Sequence, residues 1–329
     1  MAAACVGLAL AGCGGHASVP AVAVPSVPSR CAAVSASPPV SLTEVHQGGG
    51  TVELAPVCID GHGPYPFEVD TGAAQSVLDA GLAATLHLPA DPQRPEAVGI
   101  GCAALRRLVT VGTWSLGAIP LAGQQVLVTP NGWFGRQGRP DGLIGSDVLS
   151  RFGAVRIDFR RARLTVLAPE GAAPTHASVL TGTGSQPPPP LLVHGTPQAV
   201  ADLTVLRFGG TAEATAATAL GGGRPVPFVV DTGSWGSSVA PTLATSASLR
   251  PTGGRVAAPG VACSGTVATV GSGNWQTGTT PLGARPLAVV PLAGGTQQGV
   301  EGTLGTDVLS GYGSVVLDYR TALLWLGAG

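Results

Sequence analysis

The sequence predicts an all-β chain built from two tandem copies of one small barrel-like domain. Three observations carry this. Apolar runs are short and are interrupted throughout by Gly (50 residues) and Pro (29 residues), the punctuation of strands and turns. Hydrophobic residues make up 44% of the chain, enough to build packed cores rather than a disordered polymer. A set of landmarks also recurs in the same order and spacing in two halves, the signature of an internal duplication.

In chain order, the first element is a targeting segment. Ala2 to Ala11 is an apolar run of signal-peptide length, too short to span a bilayer. It ends in Leu10-Ala11-Gly12-Cys13, small residues before a cysteine, which is similar to the lipobox of bacterial lipoproteins. Residues 1–13 are therefore expected to be a lipoprotein-type signal. Cys13 would be the acylated residue, and the chain would be lipid-anchored outside the cytoplasm in a bacterial cell envelope. The alternative is an ordinary secretory signal in which Cys13 is incidental. No Arg or Lys precedes the apolar run, a departure that leaves room for a start further upstream. Residues 14–50, rich in Ala, Val, Pro and Ser, read as a tether.

Two domains follow, over 51–169 and 201–329, separated by a linker over 170–200. That linker contains Pro187-Pro188-Pro189-Pro190, which neither a helix nor a central strand accepts. The duplication spans it. Phe67-Glu68-Val69-Asp70-Thr71-Gly72-Ala73 in the first half matches Phe228-Val229-Val230-Asp231-Thr232-Gly233-Ser234 in the second. Cys102 and Cys263 each lie 32 residues past their Asp, and Trp114 and Trp275 each lie 44 past. Leu143-Ile144-Gly145-Ser146-Asp147 and Thr303-Leu304-Gly305-Thr306-Asp307 come next. Val155 to Arg160 and Val316 to Arg320 close the two copies as similar strands. Within each copy an apolar strand runs into Asp-Thr-Gly, where Gly permits a tight turn. In the first copy a short helix is expected over Ala80 to Leu86 and a strand over Val126 to Thr129. A brief helix follows each apolar-apolar-Gly segment, with Ser146 or Asp147 able to cap it.

Composition excludes several chemistries. All 17 basic residues are Arg, so a Schiff-base lysine, a lysine-bearing phosphate loop and a lysine base are ruled out. A formal net charge of -1 argues against a nucleic-acid partner. The six His show no metal-ligand spacing, and neither a metal nor a cofactor is expected. Gly99-Ile100-Gly101-Cys102-Ala103-Ala104 formally matches a dinucleotide loop, but no convincing strand precedes it and no long helix follows. Trp114 and Trp275 read as packing residues. No serine nucleophile elbow occurs.

An apolar strand ending in Asp-Thr-Gly-Ala/Ser, followed some 70 residues later by an apolar-apolar-Gly segment and a short helix, resembles the retropepsin/pepsin group of aspartic proteases. The resemblance covers about Val52 to Leu167 and Asp202 to Leu326, with both units in one chain. It implies a monomeric aspartic endopeptidase acting on peptide or protein substrates in the cleft between two domains. Asp70 and Asp231 would form the catalytic dyad. Two adjacent carboxyls cannot easily both ionise, so they share a proton and serve together as base and acid. Thr71, Gly72, Ala73, Thr232, Gly233 and Ser234 would support the dyad. The segments Leu143, Ile144, Gly145 and Thr303, Leu304, Gly305 would back it. A hydroxyl on Ser234 donating to Asp231 would make Asp231 the more acidic member and the water-activating base. A catalytically silent peptide-binding lipoprotein of the same fold is the second reading.

Once Cys13 is acylated, four cysteines remain in the mature chain, and they allow three pairings. The resemblance puts the stretches around Cys102 and Cys263 on flaps that meet over the cleft. The expected bonds are therefore Cys102–Cys263 and Cys31–Cys58. Cys58–Cys102 and unpaired thiols are the alternatives.

Overall fold

A computed structural model describes residue 31 and residues 39–47, 50–99, 102–129, 140–167, 178–181, 193, 195–259, 264–291 and 299–327. The fold is all-β: among the described residues two large curled sheets and one two-stranded sheet, with short helices, as the punctuated apolar runs predict. The two copies meet along their closing strands. Ala154–Asp158 pairs antiparallel with Ser314–Asp318, Ala154 opposite Asp318 and Asp158 opposite Ser314. Outside the first lie Arg163–Val166 and then Val40–Ser41; outside the second lie Leu323–Leu326 and then Ala199–Phe208. These strands alternate buried apolar residues from both halves, among them Ile157, Leu317 and Leu324, and one continuous apolar cluster runs through the molecule. Burial of that shared surface is the main force holding the halves together.

Each half builds its site by the same weave. His62–Val69 runs parallel to Gly142–Ile144, which runs antiparallel to Val77–Asp79. Val226–Val230 runs parallel to Gly302–Leu304, which runs antiparallel to Ser238–Val239. Glycine is required at the head of the inner strand. A Cβ on Gly142 would lie 2.4 Å from the Phe67 ring, and one on Gly302 would lie 2.3 Å from the Phe228 ring. Both phenylalanines are fully buried. The short helices cross over. Ser146–Leu149 packs on strand Thr211–Leu220 of the second half, and Thr306–Leu309 packs on Gly50–Ile59 of the first. Thr51 N donates to Thr306 Oγ1 at 3.1 Å.

Several expectations need adjusting. Strands Val40–Ser41 and Thr43–Gln47 lie inside the stretch read as a tether over 14–50; they pair with Arg163–Val166 and Gly50–Ile59. These strands are too short, and their apolar residues Val40, Leu42 and Val45 too irregularly spaced, to give a period-two signal. Ser178–Thr181 is likewise a strand within the stretch read as a linker over 170–200, and it pairs with Ala199–Phe208. The first helix spans Ala80–Thr85, with Asp79 capping it by accepting from Gly81 N at 2.7 Å. The helices after the apolar-apolar-Gly segments are capped by Gly145 and Gly305 with no side-chain bond, so neither Ser146 nor Asp147 caps. Those side chains are engaged elsewhere. Ser146 Oγ donates to Thr71 O at 2.9 Å, and Asp147 accepts from Ser76.

Cys31 and Cys58 form a disulfide with Cα atoms 5.9 Å apart. Cys263 and the side chain of Cys102 lie outside the described residues, as does Cys13. Hairpins Glu96–Leu105 and Pro251–Gly271 occupy equivalent places in the two halves. Trp114 and Trp275 are buried in their sheets, and their indoles donate to Ala122 O at 2.8 Å and Gly283 O at 3.0 Å.

Candidate active site

The two Asp-Thr-Gly turns face each other at the junction of the halves. Strand His62–Val69 carries Asp70 to the junction, where Asp70 N donates to Ile144 O at 3.0 Å. The equivalent bond runs from Asp231 N to Leu304 O, also at 3.0 Å. The apolar-apolar-Gly segments therefore fix the height at which each aspartate emerges. Beyond each aspartate the chain turns back so that amide N–H groups point at its carboxylate. Asp70 Oδ1 accepts from Gly72 N and Ala73 N, both at 2.9 Å. Asp231 Oδ1 accepts from Gly233 N at 3.0 Å and Ser234 N at 2.9 Å.

The threonines lock the turns across the junction. Thr71 Oγ1 donates to Val230 O at 2.6 Å and accepts from Thr232 N at 3.1 Å. Thr232 Oγ1 donates to Val69 O at 2.7 Å and accepts from Thr71 N at 3.1 Å. Both threonines are buried, so each hydroxyl satisfies backbone groups of the opposite half that water does not reach. The glycines have an equally specific reason. A Cβ on Gly72 would lie 2.4 Å from Asp231 Cγ, and one on Gly233 would lie 2.3 Å from Asp70 Cγ. Any larger residue would push the two carboxyls apart.

The carboxyls of Asp70 and Asp231 share a hydrogen bond. Burial raises the pKa of Asp70, against the pull of the Ala73 and Gly72 amides and of the bond from Asp231. Asp231 is raised well above the usual carboxylate range, first by burial and then by the charge on Asp70. The pair therefore titrates as a unit, one proton shared between its two carboxyls. The hydroxyl bond from Ser234 to Asp231, on which the expected ordering of the pair rested, is not formed. The Ser234 hydroxyl donates to Gly236 O at 2.8 Å, bending its own loop, and gives nothing to Asp231.

Two further layers were not singled out from sequence. Ser76 and Ser237, each six residues past its aspartate, brace the turns from behind. Ser76 Oγ donates to Asp147 at 2.7 Å and accepts from Gly145 N at 3.0 Å. Ser237 Oγ does the same with Asp307 at 2.7 Å and Gly305 N at 3.0 Å. Their matched place in the repeat was the available signal. The other is Glu68, a charged residue in a strand whose second copy reads Phe228-Val229-Val230. Burial, then the charges of Asp70 and Asp231, raise its pKa well above the carboxylate range.

Two half-barrels that share one pair of interlocked Asp-Thr-Gly turns define a two-domain acid-protease architecture. The aspartyl protease family profile matches residues 55–148 and again 216–308, together more than half of the chain, and the chain belongs to that family. No curated protein sequence matches the chain.

Proposed function

We propose that the protein is an aspartic endopeptidase whose dyad, Asp70 and Asp231, activates water for attack on a peptide carbonyl. The observation that carries this reading is the reciprocal clamp. Two carboxyls, Asp70 buried and Asp231 partly exposed, share a hydrogen bond, and each is held by two amides of its own turn. In this reading the ionised member of the dyad accepts a proton from water as it attacks. The protonated member donates its proton to the carbonyl oxygen. The resulting tetrahedral diol collapses when a proton passes to the leaving nitrogen, giving an acid and an amine and returning the dyad to its starting state. Rigid amides and hydroxyls around the pair mean that little reorganisation is needed during the reaction.

We also infer an extracytoplasmic setting, with the chain lipid-anchored at Cys13; the support is the Leu10-Ala11-Gly12-Cys13 run. Among the described residues no helix is long and apolar enough to cross a membrane. The deciding experiment is hydrolysis of a mixed peptide library across acid to neutral pH, with and without a statine-type inhibitor. Inhibitor-sensitive cleavage supports the endopeptidase. Binding of the peptides without cleavage at any pH would favour the silent peptide-binding reading.

A further inference from the structure

The two copies differ most in chemistry on the face beside the dyad. Glu68 stands two residues before Asp70, near the end of the strand His62–Val69 that leads into it. Phe67 and Val69, which alternate with it, are fully buried on the opposite face. Leu54 and Leu143 lie directly opposite Glu68 on the neighbouring strands, so the three side chains form one row. Leu143 packs with Val77, Ala97, Leu108 and Leu127, and Ala97 belongs to the hairpin Glu96–Leu105, so that hairpin covers the row's face. The equivalent row in the second half is Thr215, Val229 and Thr303. Val229 is almost wholly buried, whereas Glu68 is half-buried.

One side of the dyad therefore carries a carboxyl set in an apolar row, and the other is neutral with two threonines. Glu68 makes no hydrogen bond or ion pair among the described residues, and no basic group figures among its charge neighbours. Asp70 and Asp231 both repel its charge, which places the three carboxyls close together in a poorly solvated space. The three do not form a metal-holding cluster among the described residues. A carboxyl held this way is short of a cation, and a bound cation would relieve both its desolvation and the repulsion.

We propose that Glu68 is a specificity residue that selects a substrate carrying an arginine or lysine side chain next to the scissile bond, on the first half's side of the dyad. The cationic head of such a side chain would meet the Glu68 carboxylate, the partly exposed member of a row in which Leu54 and Leu143 are almost wholly buried. The proposal rests on the endopeptidase reading for the place of the scissile bond. Its chemistry is testable apart from turnover.

The test uses the full chain and paired peptides that differ only in Arg against citrulline, or Lys against norleucine, at each position flanking the cleaved bond. Wild type should favour the cation at one flanking position by roughly ten- to a hundredfold in kcat/KM, the range of a charge-assisted hydrogen bond. In Glu68→Gln and Glu68→Leu that ratio should fall to near one. Non-cleavable statine peptides bearing the same side chains give a second measurement by calorimetry. Equal affinity for the Arg and citrulline ligands in wild type, or a ratio unchanged in Glu68→Gln, overturns the proposal. An absence of hydrolysis together with a tenfold affinity ratio would instead remove the endopeptidase reading and leave Glu68 standing as a cation-selecting residue.

Discussion

Asp70 and Asp231 occupy one site with two owners, and the consequences can be measured residue by residue. Asp70→Asn and Asp231→Asn should each abolish nearly all peptidase activity while the fold persists. Because the pair acts as a unit, the double variant should be little worse than either single one. Wild-type turnover in either single variant would make a shared site untenable. Thr71 gives a different signature. Thr71→Ala removes the donor to Val230 O and the acceptor for Thr232 N, both buried. Each orphaned group should cost about 1–3 kcal/mol in urea denaturation, whereas Thr71→Ser, which keeps the hydroxyl, should recover most of the loss.

Among the elements, strand Gly50–Ile59 is the most loaded. It pairs with three strands, and it carries Glu53, fully buried with neither carboxyl oxygen hydrogen-bonded. Burial, and then the charge of Glu44 directly opposite, push Glu53 up from 4.5 to about 8. The folded state therefore holds this proton more tightly than the unfolded chain does. Its contribution to stability is complete below about pH 4.5 and is lost as pH rises toward 8, by an amount on the order of a few kcal/mol. Glu53→Gln should match wild type in thermal midpoint near pH 4 and exceed it at pH 8; a wild-type midpoint that rose over that interval would contradict the assignment. None of this was legible in the sequence, because Thr51-Val52-Glu53-Leu54 reads as an ordinary strand with a polar outer face. What was legible shares a cause. The Asp-Thr-Gly turns, the apolar-apolar-Gly segments and the closing strands are fixed by local turn chemistry and by spacing, and they recur in register. The direction of the Ser234 hydroxyl, decided by the loop at Gly236, and the pairing of strands Val40–Ser41 and Thr43–Gln47, the first with a strand over a hundred residues away, depend on tertiary neighbours that no local pattern encodes.

For the molecule as a whole, the N-terminal reading predicts that mature protein begins at Cys13 and carries lipid. Intact mass spectrometry of envelope-extracted protein checks this, and an unmodified terminus at another residue would remove the anchor. The disulfide makes a mechanical statement about the same end of the chain. Because Cys31 is bonded to Cys58, tension arriving from the N-terminal side bypasses the residues between them and enters the fold at Cys58. Strands Val40–Ser41 and Thr43–Gln47 lie inside that covalent loop, so a pull from this end cannot unzip them one hydrogen bond at a time. The force falls instead on a strand held along three neighbours, which yields only by shearing as a block.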